Sequence, residues 1–213
     1  MEISLSGVIP YPLKEHIKDE SDIWNKDITF QKGLQYIVDA QSGRGKSTFI
    51  QSLYGIRKDY DGEIKYDDLN VREMRSDDMA AFRQRNISIL FQDLRLFPDL
   101  TAWDNIHANA CLAASPRAEK VEEMAEQLQV THILHKKTFY LSYGERQRIA
   151  TIRALVQPFD WLLMDEPWSH LDKENTLASY KLICEVVEEQ SAGMIMTTLG
   201  EDHFLSIPNH LYL

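Results

Sequence analysis

Short apolar runs, separated by polar turns and by helical patterns, fill most of this 213-residue chain. Runs that are rich in aliphatic residues and bounded by glycine or polar residues are typical of buried strands. On this pattern we predict strands at 34–39, 63–66, 86–91, 161–164 and 194–198. The alternation of such runs with helical segments predicts an α/β domain.

Apolar positions at helical spacing predict the helices. One helix follows the first strand directly, at 47–56, and another occupies 177–190. Helical spacing also dominates the stretch from about 93 to 150, most clearly at 117–128, where four apolar residues fall at i, i+3, i+4 and i+7. We therefore predict one domain over residues 1–213, with a helical subdomain inserted into the α/β core at about 93–150.

Composition and charge narrow the class of protein. Hydrophobic residues at 44% and charged residues at 26% are values of globular domains. The net charge of −10 argues against a nucleic-acid surface, which needs concentrated lysine and arginine. No run of 18 apolar residues and no signal-like N-terminus is present, so we expect neither a membrane span nor export. Cys111 and Cys184 lack metal-ligand spacing and are predicted to be reduced thiols.

A glycine-containing loop at Ala40–Thr48 joins the first predicted strand to the helix after it. In that context backbone N–H groups at the helix N-terminus can cradle phosphate oxygens. Lys46 can reach the β- and γ-phosphates, and the Ser47 hydroxyl can coordinate Mg²⁺. A loop that only turns a strand into a helix is the alternative, and the lysine in register argues against it. The nucleotide-binding candidates are Ser42, Gly43, Arg44, Gly45, Lys46, Ser47 and Thr48.

Two adjacent carboxylates, Asp165 and Glu166, end the apolar run at 161–164. A strand end can hold Asp165 near Mg²⁺, which leaves Glu166 to polarise an attacking water as general base. A solvated acidic turn is the alternative, but a phosphate-binding loop in the same chain favours nucleotide hydrolysis.

Between these two motifs lies Leu141-Ser-Tyr-Gly-Glu145, at the start of a predicted helix. Its N–H groups and the Ser142 hydroxyl suit a phosphate, whereas in isolation an N-capped surface helix with solvated Arg146 and Arg148 is the simpler interpretation. The order of the loop, this LSYGE motif and the Asp-Glu pair resembles the ATP-binding cassette (ABC) ATPases, and the resemblance covers about residues 23–198.

The resemblance implies a P-loop NTPase core of α/β class, an N-terminal antiparallel β-subdomain and an inserted α-helical subdomain. It implies ATP and Mg²⁺ as cofactors. It also implies a homodimer or heterodimer in which the LSYGE motif, the signature of the family, binds the partner's nucleotide through Ser142, Gly144 and Glu145. Gln92 corresponds to the Q-loop glutamine, with a catalytic role and a place at the metal. Ser169 and Asp172 correspond to the D-loop, which crosses the dimer interface.

The resemblance also implies an integral membrane permease subunit as partner, no nucleic acid, and a cytoplasmic location at the inner face of the cell membrane through that partner. The stretch 96–105 resembles the family's segment beside the groove for the permease. Taken singly, Phe97, Leu100 and Trp103 are predicted to be core residues of the helical subdomain. The short core and the stretch 91–101 (FQDLRLFPDLT) are similar to cassettes of lipoprotein-release, cell-division and macrolide-type exporters, while import remains an alternative.

Two positions depart from the family pattern. Leu199 occupies the place of the switch histidine, and His203 is a surface residue on this interpretation. Because leucine cannot donate to a γ-phosphate, a nucleotide-gated regulatory or assembly subunit with little hydrolysis is the alternative function. For the aromatic residue that stacks on adenine we name Tyr11, with His16 at a similar distance, and we expect Trp24 to pack in the β-subdomain.

Overall fold

Two sheets form the framework of the molecule. The computed structural model describes residues 1–15, 21–112, 119–168, 171–200 and 207–213. One sheet has the strand order β2-β1-β4-β5 and the other the order β6-β7-β8-β3-β9. The strands are β1 (Ile3–Pro10), β2 (Asp27–Phe30), β3 (Gln35–Asp39), β4 (Tyr60–Tyr66), β5 (Leu69–Asn70), β6 (Ile87–Leu90), β7 (Trp161–Asp165), β8 (Gly193–Thr198) and β9 (Asn209–Tyr212).

The first sheet is antiparallel at every pairing, and the second is parallel at every pairing. Carboxyl ends of parallel strands meet at one edge of a sheet, the edge where α/β proteins bind ligands. Four features therefore gather at one edge of the parallel sheet. They are the glycine-containing loop 40–48 after β3, called the P-loop from here on, Gln92 after β6, the carboxylates at the end of β7, and Leu199 after β8.

Six α-helices surround the parallel sheet in the described part of the chain. They are α1 (Lys46–Leu53), α2 (Ser76–Asn86), α3 (Ala102–Leu112), α4 (Val121–Gln127), α5 (Tyr143–Val156) and α6 (Lys173–Glu189). Helices α3 and α4 both pack against α5, and α5 also contacts β6 and α6. The predicted helical stretch 93–150 thus holds α3 and α4, and α5 continues from it into the core.

Alternate residues of the parallel strands face two separate hydrophobic clusters. On β7, Leu162 and Met164 pack with helices α3–α6, whereas Trp161 and Leu163 pack with α1 and the antiparallel sheet. Such double-sided burial explains why these strands are nearly continuous apolar runs in the sequence. The parallel sheet is therefore the middle layer that holds the helical and antiparallel subdomains in place.

Every strand predicted from the apolar runs is present, and the predicted and observed ends differ by at most three residues. The four apolar positions of the helix predicted at 117–128 are all buried, and α4 itself spans Val121–Gln127, with residues 117–118 outside the described ranges. Helix α2 was not predicted, because Met79 is its one buried residue and no apolar periodicity marks it.

The core prediction is wrong for Phe97 and Leu100, which are 59% and 41% exposed, whereas Trp103 packs partly buried against the helical cluster. The buried Asn105 explains the difference. Its side chain accepts a hydrogen bond from the Phe97 N–H at 2.8 Å and donates one to the Phe97 carbonyl at 3.1 Å. A polar side chain thus fixes the main chain of this loop, and the apolar side chains stay at the surface.

Within the described ranges, no helix is both long enough and apolar enough to cross a bilayer.

Candidate active site

The P-loop turns from β3 into α1 through two glycines with left-handed backbone. Gly43 has φ 78° and Gly45, the N-cap of α1, has φ 100°. The left-handed backbone at Gly45 favours glycine, and a Cβ there would also displace the Leu13 side chain, whose Cδ1 would lie 2.4 Å away. Ala40, the first residue of the loop, has a negative φ, so its backbone does not require glycine at that position.

The Lys46 ammonium is buried beneath this loop. Its Nζ donates to the carbonyls of Ala40 at 2.6 Å and Gln41 at 3.1 Å, and lies 3.3 Å from Glu166 Oε1. A buried ammonium needs such partners, because an unpaired charge in the interior is costly. These contacts hold the lysine at the floor of the cleft, where a phosphate can replace the carboxylate.

Asp165 ends β7 and is buried at the edge of the sheet. Thr197 Oγ1 donates to its Oδ1 at 3.0 Å. Burial raises the pKa of Asp165 above its ordinary 3.8, and hydrogen bonds from Ser47 and Thr197 oppose that rise. A cation at this position would stabilise the ionised carboxylate, as a metal ligand requires.

Glu166 has φ 45°, a left-handed conformation that costs a non-glycine residue about 1–2 kcal/mol. Its N–H donates to the Thr197 carbonyl at 3.2 Å, which helps to hold the turn. The turn points the carboxylate towards Lys46, and Gln92 Nε2 donates to Glu166 Oε2 at 3.2 Å. The predicted base is thus held by a cation and by the predicted Q-loop glutamine.

Two adjoining cavities occupy this edge. One, of about 570 Å³, is lined by the P-loop together with Leu13, Gln92, Glu166 and Leu199. The other, of about 380 Å³, is lined by Ser47, Gln92 and Asp165, and by Tyr143. A hydroxyl, an amide and a carboxylate offer the hard oxygen ligands that Mg²⁺ prefers, so the predicted metal ligands share one cavity and fit that ion.

The LSYGE segment forms the N-terminus of α5, with Ser142 as N-cap. Ser142 Oγ accepts from the Glu145 N–H at 3.3 Å, and Glu145 Oε2 accepts from the Ser142 N–H at 2.8 Å, which is a capping box. These hydrogen bonds from Ser142 lower the pKa of Glu145. The structure thus gives Glu145 a capping role that the spacing of Ser142 and Glu145 encodes in the sequence.

The two arginines of this helix start are half-buried instead of solvated. Arg148 donates to the side chain of Asn175 in α6, and Asn175 donates to Asp172 at 2.7 Å. Asp172 is the N-cap of α6, and hydrogen bonds from Asn175 lower its pKa. Helix α5, which begins with the predicted signature, is therefore connected to the predicted D-loop residue Asp172. Ser169, the other predicted D-loop residue, lies outside the described residues.

Tyr11 and Leu199 occupy different positions relative to the nucleotide cavity. Leu199 is 45% exposed and contributes to its wall. Tyr11 is exposed in a short 3₁₀ helix, and from that helix it is Leu13 that lines the cavity. Sequence reasoning missed Leu13, because an isolated leucine carries no signal of contact with a glycine loop. His16 and His203 lie outside the described residues.

Trp24 is buried and packs edge-on against Phe49 of α1, with ring centroids 5.8 Å apart. Its predicted place in the core beside the antiparallel sheet is confirmed.

Comparison with known proteins decides the family. A family model described as ABC transporter matches residues 25–169, more than half of the chain. This chain is an ABC transporter cassette. It is 34% identical over 179 residues to the lipoprotein-releasing system ATP-binding protein LolD of Idiomarina loihiensis, a match that spans 81% of the cassette and 78% of LolD.

Two further similarities agree with this assignment. The cassette is 37% identical over 162 residues to the molybdate/tungstate import ATP-binding protein WtpC of Pyrococcus horikoshii, across 73% of the cassette and 45% of WtpC. Its fold matches the ATP-binding cassette MJ0796, solved as a dimer in a post-hydrolysis state with ADP and Pi, with a TM-score of 0.81. That match covers 99% of the cassette and 94% of MJ0796 at 24% identity, and it confirms the predicted fold class.

The predicted activity is confirmed at the level of the family. The cassette is the ATP-binding subunit of an ABC transporter and an ABC ATPase. The relatives named above differ in what their transporters handle, so family membership leaves the transported substrate open.

Proposed function

We propose that this ABC ATPase binds ATP with Mg²⁺ between its P-loop and the LSYGE segment of a second subunit. One observation carries the proposal: Lys46, Glu166 and Gln92 converge on one cleft at the sheet edge. Among the described residues, none of 142–145 lines the P-loop cavity and only Tyr143 lines the adjoining one, so Ser142 and Gly144 of a second copy or a related subunit would complete the site. The similar cassette MJ0796 has been solved as a dimer with ADP and Pi, which supports a site shared by two subunits.

The contacts of Glu166 suggest how hydrolysis is gated. Lys46 and Gln92 both contact the Glu166 carboxylate. A γ-phosphate beside Lys46 would replace the Glu166 carboxylate as the partner of the ammonium group. Glu166 would then be free to accept a proton from the attacking water. Ser47, Asp165 and Gln92 would hold Mg²⁺, which supplies neutralisation of the phosphate charge when it is bound.

We further propose that dimer closure drives a membrane permease and that the cassette lies at the cytoplasmic face through this partner. Phe97 and Leu100 are exposed in the loop before α3, and they support this part of the proposal because an apolar surface can bury itself on a partner. LolD is named for lipoprotein release and WtpC for import of molybdate or tungstate, and this site is compatible with either direction of transport.

Leu199 favours a second candidate, a nucleotide-gated regulatory subunit with slow turnover. Its aliphatic side chain lies in the wall of the nucleotide cavity, where it can donate no hydrogen bond to a phosphate. In this candidate ATP binding would close the dimer and hydrolysis would contribute little, since a ligand shifts an equilibrium by its differential affinity for the two states.

Phosphate release from the purified protein with Mg-ATP, compared with Glu166→Gln at matched concentrations, tests the proposal. We expect turnover per subunit to rise with protein concentration and to disappear in the variant, which should accumulate as an ATP-bound dimer in light scattering. ATP binding and dimer formation without turnover would select the regulatory candidate. A monomer that hydrolyses ATP at a concentration-independent rate would refute the shared site.

A further inference from the structure

Tyr143 makes a contact that links the signature segment to the catalytic edge of the same subunit. It is the first residue of α5, and its hydroxyl donates to the Gln92 carbonyl at 2.9 Å. Burial raises the pKa of Tyr143 above its ordinary 10.0, so the hydroxyl keeps its proton at neutral pH.

The far end of the same helix holds the next residues of the Q-loop. The Arg153 guanidinium donates to the Arg95 carbonyl at 2.6 Å and also to the Leu94 carbonyl. Both loop residues have left-handed backbone, with φ 59° at Leu94 and 48° at Arg95. Burial lowers the pKa of Arg153 to about 10, which still leaves it charged at neutral pH. Side chains of α5 therefore donate hydrogen bonds to three main-chain carbonyls, those of Gln92, Leu94 and Arg95.

The hydrogen bond from Tyr143 connects α5 to the residues proposed to hydrolyse ATP. The carbonyl that Tyr143 binds belongs to the residue whose side-chain amide donates to Glu166, and Glu166 in turn contacts Lys46. The ring of Tyr143 also lines the cavity that contains Ser47 and Asp165. A short path therefore runs from the start of the signature helix to the carboxylate that activates water.

We propose that Tyr143 is a positioning residue, which holds the Gln92 main chain so that the Gln92 amide stays on Glu166. Its neighbours Ser142 and Gly144 face the partner's nucleotide in the proposed dimer, and to that extent the inference rests on the proposed function. A nucleotide bound at the signature would then act on Gln92 of the same subunit through the Tyr143 hydroxyl. The two nucleotide sites of a dimer would be coupled through this hydrogen bond.

Tyr143→Phe tests the role, since it removes the hydroxyl and keeps the ring. Tyr140→Phe is the matched control, because Tyr140 lies three residues earlier with its side chain largely exposed. Hydrogen exchange is measured at the Leu94 and Arg95 amides, which donate to the Phe91 and Asp93 carbonyls. We expect Tyr143→Phe to speed exchange at both amides by about 2- to 10-fold, the worth of one neutral hydrogen bond, with the melting temperature unchanged.

The kinetic arm uses a double-mutant cycle with Gln92→Ala. Tyr143→Phe should lower kcat by about 2- to 10-fold with KM for ATP changed by less than about twofold, because the P-loop is untouched. In the Gln92→Ala background it should have no further effect, since the amide that Tyr143 positions is gone.

Unchanged exchange in Tyr143→Phe, the same change in Tyr140→Phe, or full additivity with Gln92→Ala would overturn the role of Tyr143. Absence of turnover in the unmodified protein would count against the proposed hydrolysis alone. The exchange comparison would still decide the positioning role in that case, so the two failures are distinguishable.

Discussion

At the scale of the residue, the backbone conformation and the side-chain contacts of Glu166 together fix the position of its carboxylate. Its backbone is left-handed, Lys46 lies beside its carboxylate and Gln92 donates to it. A strained backbone at a catalytic position persists when surrounding contacts over-determine it, and the hydrogen bond from the Glu166 N–H to the Thr197 carbonyl provides one such contact. This backbone conformation places the carboxylate of the proposed general base in contact with a lysine and an amide.

Leu199 is the residue that we expect to limit the rate of hydrolysis. We predict that Leu199→His raises kcat about tenfold or more, because loss of one transition-state donor can cost on the order of 10²–10³ in rate. Phosphate release at saturating Mg-ATP is the measurement.

Leu69→His is the control for this change, since Leu69 is 51% exposed on β5 of the antiparallel sheet, outside both cavities. A Leu199→His variant that gains no more rate than the control would show that the cavity wall does not limit turnover.

At the scale of an element, α5 combines three tasks. Its N-terminus presents the signature segment, its body packs against α3, α4 and α6, and its Arg153 holds the Q-loop. The capping box of Ser142 and Glu145 satisfies N–H groups that would otherwise lack partners at the first turn. The first turn of α5 is therefore capped by its own side chains.

The capping box predicts a pH dependence of stability. The pKa of Glu145 in the folded protein lies below its ordinary 4.5, so its ionised form stabilises the fold above pH 4.5. That stabilisation is lost as the pH falls through the lower folded-state pKa. We expect Glu145→Gln to reduce the free energy of unfolding at pH 7 by about 0.5 kcal/mol, a value discounted for the exposure of this group.

Urea unfolding of both proteins at pH 7 and near pH 3 checks the prediction, with the difference between them expected to shrink at the lower pH. A difference that is the same at both pH values would mean that the Glu145 charge does not support the helix start.

At the scale of the whole molecule, the parallel sheet is the layer on which both subdomains depend. Trp161 shows how closely its parts fit, because its ring packs against Gly193 of the next strand and its Nε1 donates to the Met1 carbonyl at 3.1 Å. The N-terminus is thereby tied to the strand that ends in Asp165 and Glu166. Stability of the sheet and geometry of the site are therefore linked.

Gly193→Ala tests that fit. The new Cβ would lie 2.4 Å from Trp161 Cζ3, and the fully buried ring has no open space to enter. We predict a loss of about 1–3 kcal/mol in the free energy of unfolding, as for other overpacked cores. Gly144→Ala is the steric control, since its Cβ would make an ordinary contact with Leu171 at 3.5 Å. Equal stability of the two variants in thermal and urea unfolding would contradict the tight packing of Trp161.

Local pattern was sufficient to predict the buried strands and the motif residues of the P-loop and strand β7, since each is written in a few consecutive residues. The antiparallel strands near the N-terminus were predicted only through the family resemblance. Helix α2 was missed, because one buried methionine makes no periodic signal. Phe97 and Leu100 were assigned to the core from hydrophobicity, and the buried side chain of Asn105 decided otherwise.

By itself, the sequence determined which chemical groups this cassette carries and in what order, because a glycine loop, a lysine and a strand-end carboxylate pair act through local geometry. Tertiary structure alone decided which of these groups meet. Gln92 and Glu166 are 74 residues apart, and Tyr143 and Gln92 are 51 apart, yet each pair is joined by a hydrogen bond. Such contacts depend on the order of strands in the sheet and on the path of α5 across it, and neither is encoded within any one segment.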